Sequence, residues 1–270
     1  MGRYILKRIL ISLATLLVLV TVVFALVRLM PGDPFSSEKM TPQVRQNLER
    51  YYGFDKPVLE QYLTYMGRLV RGDLGYSMKY ANVTVNEIIA KAFPYSADLG
   101  LRALAIAVSV GLTLGVVSAL NRKKPIDAVC VVVAIIGTSI PDFIMGYVLQ
   151  YFFGIRWGLL PIAQYKGFAY TILPSVGLGF YTLALVSRLM RSSMLEVVQQ
   201  DYVKTAKAKG ASRFRIVRKH MIRNAILPIV TVLGPITASV LTGTFVIESI
   251  FAIPGMGKFY VSSVQSLDYT

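Results

Sequence analysis

The chain has 270 residues, of which 54% are hydrophobic, and its mean hydropathy of +0.56 is typical of a membrane protein rather than a soluble domain. The net charge is +15, but the densest basic block lies beside apolar segments, where positive charge orients a membrane protein; this argues against a nucleic-acid partner. Cys130 is the single cysteine and lies in an apolar run, which excludes a disulfide framework and a thiolate metal cluster. We expect neither a metal site nor a cofactor.

The first predicted membrane span is residues 9–27, which carry no charge. Its length suits the hydrocarbon core, which takes roughly 20 helical residues. Arg3, Lys7 and Arg8 precede it and predict a cytoplasmic N-terminus. A signal peptide would have a shorter apolar core and a small-residue cleavage site, whereas Arg28-Leu29-Met30-Pro31 follows here. We predict a span that is retained in the mature protein.

Residues 31–96 form the one long polar insertion and are predicted to lie outside. Three short helices are expected in it. The first is bracketed by Thr41-Pro42 and Gly53, the second runs from Pro57 to about Val70, and the third begins at Thr84 and stops before Pro94. Two interpretations remain open: the insertion is a contact surface for an external partner, or a cap packed on the ends of the spans.

Four further spans are predicted, at about 103–120, 128–153, 167–187 and 225–247. Asp98 and Arg102 precede the first of them at the i,i+4 spacing of an ion pair. Loop charge and span parity agree on the orientation: 121–125 and 188–224 lie in the cytoplasm, and 154–167 and 252 onward lie outside. The last two spans contain potential helix breaks at Pro174, Gly177, Gly179, Pro228, Gly234, Pro235 and Gly243.

The loop at 188–224 is strongly basic, with ten Lys or Arg and two acids between Arg188 and Arg223, a net charge of +8. Helical spacing places Leu195, Val198, Tyr202 and Ala206 on one apolar face. Gly210 breaks that pattern, and a second helix follows from Ser212 as N-cap. Small residues at Ala206, Ala208, Gly210 and Ala211 would let another surface approach closely. The alternative is a basic loop held by anionic lipid.

A carboxylate, Asp142, lies near the middle of the predicted third span, after Ser139 and Pro141. A charge at that depth costs roughly 2.5–3.5 kcal/mol on insertion scales, so we expect the side chain to face the bundle interior or a wet cavity. One hypothesis is that Ser139, Pro141 and Asp142 line a translocation path that favours cationic solutes. The alternative is a structural carboxylate bonded to a Ser, Thr or Tyr of a neighbouring helix, or lying nearer an interface.

The sequence DYVKTAKAKGAS, followed by RNAILP, resembles the "EAA" loop of permease subunits of binding-protein-dependent ABC importers. It is most similar to the version of the loop in the dipeptide and oligopeptide subfamily. Lys204 stands where the family has a glutamate, and eighteen positions separate Gly210 from Pro228, as in the peptide-type version. Segments 31–34 and 71–75, and the pattern E-x-x-F-x-x-P-G-x-G from Glu248, also resemble this subfamily. The resemblance covers essentially the whole chain.

The resemblance implies a single transmembrane permease domain over 1–270, all-α, with the type I ABC importer fold. It implies a sixth span after Leu267-Asp268-Tyr269 and suggests that the chain is truncated. It also implies an ATPase-coupling surface in the basic loop and an external gate at the end of the fifth span, although Glu248 could simply mark a helix end reaching interfacial water. The coupling residues would be Tyr202, Thr205, Ala206, Lys207, Gly210 and Ala211, and the gate residues Glu248, Pro254 and Gly255.

The expected function is that of a membrane subunit in a prokaryotic inner membrane, forming half of a path for di- or oligopeptides. No phosphate-binding loop occurs in the sequence, so ATP hydrolysis must come from partners. The resemblance implies two ATPase subunits, a second similar permease subunit and an external solute-binding protein. It also allows oligosaccharides or nickel as solutes. Rivals from other classes are an autonomous channel or ion-driven carrier, and an intramembrane enzyme, which the absence of HExxH and GxSxG motifs disfavours.

Overall fold

A computed structural model describes residues 1–29, 49–80, 82–266 and 268. It forms two compact units, residues 1–90 with 261–270, and residues 91–260. Residues 49–52 are helical. The longer helices are α1 (Gly2–Leu29), α2 (Val58–Val70), α3 (Val85–Leu120), α4 (Pro125–Ser139), α5 (Asp142–Arg156), α6 (Phe168–Val197), α7 (Asp201–Ala208), α8 (Arg213–Ala225), α9 (Leu227–Leu241), α10 (Phe245–Ile250) and α11 (Gly257–Gln265).

Helices α1, α3 and α6 are each long and apolar enough to cross a membrane. Two further candidates are bent pairs: α4 with α5, at 111°, and α8 with α9, at 49°. If each bent pair is one crossing, the described residues contain the five spans predicted from the sequence. The chain is thus an α-helical polytopic membrane protein, as expected.

The third predicted span is not one straight helix. It breaks at Ile140-Pro141, because proline lacks the backbone donor and its ring clashes with the preceding turn. Ile140 takes the extended conformation that a residue before proline prefers (φ −91°, ψ 123°). With 15 residues, α4 is about 22 Å long, less than the roughly 30 Å of a hydrocarbon core. The bend at Pro141 is therefore a correction to the predicted 128–153 span.

Several predicted helix boundaries were also wrong. The helix starting after Thr84 does not stop before Pro94 but continues to Leu120, and α6 runs unbroken through Pro174. In membrane helices, neighbouring segments compensate for the lost proline donor, and tight packing offsets its cost. The fifth apolar helix ends at Leu241 rather than Ile247, because Gly243 has a positive φ of 92° that interrupts the helix.

In the unit of residues 91–260, α6 is central and packs against α4, α5, α8, α9 and α10. Helices α3 and α6 also approach at backbone distance. A Cβ on Gly111 would lie 2.8 Å from the Leu183 carbonyl oxygen, and one on Gly179 would lie 2.7 Å from that of Ala103. Only glycine permits such proximity, which is the usual way that membrane helices pack tightly. These glycines therefore serve helix packing.

In the other unit, the end of α1 packs on α2. The Thr21 and Tyr62 hydroxyls are 2.7 Å apart, and the ring of Phe24 lies against those of Tyr62 and Tyr65. The predicted helix from Pro57 to Val70 is confirmed, as is the Thr84 cap, whose Oγ1 accepts a hydrogen bond from the Glu87 N–H at 3.2 Å. The predicted helix start at Thr41-Pro42 and the segment 31–34 lie outside the described residues.

Candidate functional site

The basic loop (residues 188–224) contains two helical segments on either side of a glycine, as predicted. Helix α7 ends at Ala208, Gly210 has φ +75°, and α8 starts after Ser212. Ser212 occupies the N-cap position, although its side chain makes no capping hydrogen bond. A Cβ on Gly210 would meet no atom within 4 Å. Gly210 is thus required by its left-handed backbone and not by any neighbour in this chain.

The predicted apolar face of this loop was wrong. The chain leaves the helix between Val197 and Asp201, so Leu195 and Tyr202 do not share one continuous helical face. The buried face of α7 is formed by Val203 (0% exposed) and Ala206 (8%). They pack in a core with Met190, Met194, Ile216, Met221 and Ala225. Ala206 therefore faces its own chain, which corrects its assignment to a surface that another subunit approaches.

The remaining predicted coupling residues line the outer side of the loop. Tyr202 is 41% exposed, Thr205, Lys207 and Gly210 are exposed, and Ala211 is half-buried. Lys204 pairs with Asp201 at 2.8 Å within the same helix. Beside them lies an open groove of about 570 Å³ whose walls include Leu120, Leu195 and Val217 and whose polar members are Lys207 and Arg213. The loop thus has a basic exposed surface, and apolar residues pack beneath it.

An ion pair that the sequence did not predict, with a nearby serine, joins three helices at the start of this loop. Arg191 of α6 donates two hydrogen bonds to the Asp127 carboxylate of α4, at 2.8 and 2.9 Å. Ser118 of α3 donates to the same carboxylate at 2.5 Å, and the Lys123 N–H does so at 3.1 Å. Asp127 lies just after the basic turn 121–124, and Arg191 was counted only as loop charge. Nothing in their spacing indicated that they meet.

Glu248 does not reach interfacial water: it is 1% exposed. Its carboxylate accepts hydrogen bonds from Ser96 Oγ at 2.6 Å and from the Gly257 N–H at 2.7 Å, while Ser96 Oγ accepts one from the Met256 N–H at 2.8 Å. A Cβ at Gly255 would lie 2.5 Å from Glu248 Cδ and Oε2, and one at Gly257 would lie 2.8 Å from Glu248 Oε2. The glycines of the E-x-x-F-x-x-P-G-x-G pattern thus make room for this glutamate.

The three predicted gate residues are therefore placed differently from one another. Gly255 is buried in the cradle of Glu248, whereas Pro254 is exposed. Phe251, the aromatic residue of the same pattern, is 1% exposed, and its carbonyl accepts a hydrogen bond from the Gln164 N–H at 2.8 Å. The pattern encodes a packed turn held to α3 through Ser96.

Asp142 lies at the first turn of α5, at the bend, and not in the middle of a straight span. Its carboxylate accepts a hydrogen bond from the Phe143 N–H at 3.1 Å. In the described part of the chain no Ser, Thr or Tyr of a neighbouring helix donates to it. Ser139 and Pro141 are exposed and Asp142 is half-buried. The bend thus presents all three residues at the surface of this chain.

The predicted Asp98–Arg102 ion pair is confirmed, with 2.7 Å between Arg102 Nε and Asp98 Oδ2. Tyr165 donates a hydrogen bond to the same carboxylate at 2.7 Å. Burial, together with this hydrogen bond, raises the pKa of the Tyr165 phenol to about 12. The pair therefore anchors the segment between α5 and α6 to α3.

The family "Binding-protein-dependent transport system inner membrane component" matches residues 111–270, and its N-terminal counterpart matches residues 1–100. The dipeptide transport system permease protein DppB of Bacillus subtilis is 45% identical over all of this chain and 88% of its own length. The oligopeptide transport system permease protein OppB of Haemophilus influenzae is 42% identical over all of this chain and 89% of its own.

A solved structure described as an amino acid ABC transporter with histidines has a TM-score of 0.51 and 18% identity, and the match covers 68% of this chain and 81% of that one. At that identity the likeness shows the fold alone, and it agrees with the expected type I importer transmembrane domain. Together with full-length identity above 40% to DppB and OppB permeases, these matches show that the chain belongs to the family of binding-protein-dependent transport system inner membrane components, in the branch that contains DppB and OppB.

Proposed function

We propose that this chain is the membrane-spanning subunit of an ATP-driven importer of di- or oligopeptides, and that its basic loop docks on a separate ATPase subunit. The observation that carries the proposal is that α7 has one buried face and one exposed face. Val203 and Ala206 join the core that contains Met190 and Met194 of α6, while Tyr202, Thr205 and Lys207 remain exposed. A push on the exposed side would be transmitted directly into α6.

The complete importer would contain two ATPase subunits, a second permease subunit and an external solute-binding protein. The relatives named as dipeptide and oligopeptide permeases support a peptide as the solute. Oligosaccharides and nickel remain alternatives within the family. Assaying ligands on the importer's solute-binding protein would decide between them, because that protein would select the solute before the permease receives it.

The proposed orientation puts the N-terminus and the basic loop in the cytoplasm of a prokaryotic cell and residues 31–96 outside. It follows from the excess of Lys and Arg in the loops assigned to the cytoplasm. Cysteines at the exposed positions Arg71 and Arg213 test it in a Cys130→Ser background. An impermeant thiol reagent applied to whole cells should label Arg71→Cys and spare Arg213→Cys. The opposite pattern would reverse the orientation.

Reconstituted uptake tests the transport role itself. The purified complex in liposomes should accumulate a labelled peptide only when ATP and the solute-binding protein are present. Uptake without ATP, down a gradient, would favour the channel; uptake driven by an ion gradient would favour the carrier.

The docking surface is tested separately by replacing Thr205 and Lys207 together with aspartates. This double variant should lower ATPase association while leaving the helical content unchanged, because both side chains are exposed.

Asp142 is proposed to line the translocation path with Ser139 and Pro141. The support is the bend of 111° between α4 and α5, which leaves Ser139 and Pro141 exposed and Asp142 half-buried in this chain. A second permease subunit packed on that side would enclose them between the two halves. There a carboxylate would favour solutes that carry an ammonium group.

A further inference from the structure

The unit of residues 1–90 with 261–270 contains a cavity that the transport role does not use. The cavity lies between the last turns of α1, helix α2 and the turn 73–78, with a volume of about 70 Å³. A water molecule needs roughly 10–15 Å³ by the same measure, so the cavity holds about five to seven water-sized groups. Its walls include the aromatic rings of Phe24, Tyr52, Phe54 and Tyr65.

The cation in this cavity is Arg28. Its guanidinium lies 5.0 Å from the ring centre of Phe24 and 4.8 Å from that of Phe54. Over the described residues, no carboxylate pairs with it. The aromatic contacts orient the planar guanidinium, whose fork of donors matches a carboxylate. The site is therefore prepared for an anionic group.

The charges of the other two ionic residues on the walls are already compensated. Asp73 accepts hydrogen bonds from the Gly75 N–H at 3.0 Å and the Tyr51 hydroxyl at 2.9 Å, and these bonds, with the nearby Arg68, hold the pKa of its carboxyl below the usual value. Arg68 lies over the Tyr51 ring at 3.6 Å, and its charge is offset by the nearby Asp73 carboxylate. Arg28 is thus the cation left to attract a ligand.

A buried hydrogen-bond acceptor also lines the cavity. Gln61 is 5% exposed, and its Nε2 donates to the Lys56 carbonyl at 2.7 Å. Its Oε1 is buried, and no described residue donates to it. Leaving a buried polar atom without a partner is costly, so an N–H or O–H group brought in by a ligand would be favoured.

From these contacts we infer that the cavity binds the carboxyl-terminal end of a short peptide. The terminal carboxylate pairs with Arg28, the amide N–H of the last residue donates to Gln61 Oε1, and an apolar side chain lies against the aromatic rings. Carboxylate, α-carbon and amide nitrogen are five heavy atoms, which the cavity of about 70 Å³ can hold, whereas the side chain would extend beyond it along the rings at its edge. The inference rests on the proposed function, because the ligand of this cavity would be the transported peptide itself. The cavity would be an accessory binding site outside the membrane.

The probe is N-acetyl-Ala-(4-fluoro)Phe, whose acetyl group removes the ammonium that Asp142 is proposed to favour. Binding to the full chain in lipid nanodiscs is followed by ¹⁹F NMR, with the carboxyl-terminal amide of the same peptide as a comparison. The free acid should bind at least tenfold more tightly than the amide, because a charge-assisted pair contributes more than a neutral hydrogen bond. Equal binding of the two peptides would overturn the inference.

Two variants and one matched control locate the site. Arg28→Met keeps an apolar side chain against the two phenylalanine rings and should weaken binding of the free acid at least tenfold. Gln61→Glu keeps the side-chain shape but opposes the ligand carboxylate, and should have a similar effect even if Arg28→Met fails to fold. Arg71→Met removes an exposed arginine of the same unit that does not line the cavity, and should bind as the wild type does.

Equal affinities of Arg28→Met and Arg71→Met would reject the site. ATP-dependent uptake by the reconstituted complex is measured separately on the wild type. A failure there would count against the proposed function, whereas intact uptake with no Arg28-dependent binding would count against the accessory site alone.

Discussion

Asp127 and Arg191, 64 residues apart in the chain, form a two-point ion pair with N–O distances of 2.8 and 2.9 Å. The side chains are 9% and 29% exposed. With Ser118, the pair joins α3, α4 and α6 at the start of the basic loop, in which Arg191 lies. A force applied to the loop would therefore act on three helices together.

The first prediction concerns this pair. Asp127→Asn should lower the free energy of unfolding by about 3 kcal/mol, the low end for breaking a buried pair, because Arg191 is partly exposed and can be rehydrated. Unfolding in mixed micelles with increasing sodium dodecyl sulfate, followed by circular dichroism, measures it. Asp201→Asn breaks the exposed pair with Lys204 and serves as the control, which should be indistinguishable from wild type. Equal losses in both variants would contradict a special role for Asp127.

The second prediction concerns the turn at Gly210, whose φ is +75°. A side chain at such a backbone costs about 1–2 kcal/mol, and a β-branched residue is the least suited, whereas asparagine tolerates it. Because a Cβ at this position would have no neighbouring atom within 4 Å, steric clashes inside this chain do not contribute. Gly210→Val should reduce ATPase association and substrate-stimulated hydrolysis in the reconstituted complex, and Gly210→Asn should stay near wild type. Wild-type values for the valine variant would remove the turn from the docking surface.

The third prediction separates two glycines. A Cβ on Gly255 would lie 2.5 Å from Glu248 Cδ and from Ser96 Oγ, whereas one on Gly234 would meet nothing within 4 Å. Gly255→Ala should destabilise the protein by about 1–3 kcal/mol through overpacking. Gly234→Ala should be neutral, or stabilising by about 0.5–1 kcal/mol, because alanine suits a helix interior better. Thermal unfolding of both variants in one detergent measures this difference, and the reverse order would refute the glycine cradle.

The fourth prediction is the alkaline titration of Tyr165, whose pKa is raised to about 12 by burial and by its hydrogen bond to Asp98. The folded state holds this proton more tightly than the unfolded state, in which a tyrosine titrates near 10. Its contribution to stability is therefore complete below about pH 10 and is lost as the pH rises towards 12. The ultraviolet difference titration of wild type minus Tyr165→Phe should show one phenol with a midpoint near 12. A midpoint near 10 would contradict the buried hydrogen bond.

The fifth prediction concerns Asp142. Asp142→Asn keeps the shape and removes the charge, so uptake of cationic peptides should fall relative to uptake of neutral ones by the same reconstituted complex. Competition between a lysine-containing and an alanine-only tripeptide of equal length measures the ratio at matched expression. An unchanged ratio would remove Asp142 from the path. Loss of assembly would show that the carboxylate serves the structure instead.

Local sequence signals predicted those features that depend on near neighbours in the chain. The apolar runs indicated the membrane spans, because the number of uncharged residues and the thickness of the hydrocarbon core are directly related. Asp98 and Arg102 were predicted to pair because one helical turn brings them together, and their distance of 2.7 Å confirms it. Gly210 was predicted to break the helical pattern, and it does so with a positive φ of 75°.

The tertiary structure alone decided which polar and small residues turn inward. Glu248 is buried because Ser96, 152 residues earlier, donates to it and because glycines leave it room. Ala206 belongs to the core and not to the exposed side because the chain leaves the helix before Asp201, which changes the rotation of α7 relative to α6. Arg191 looked like one more loop charge until the packing of α3, α4 and α6 brought Asp127 to it. Helical spacing fixes which residues share a face, but only helix packing fixes what that face meets.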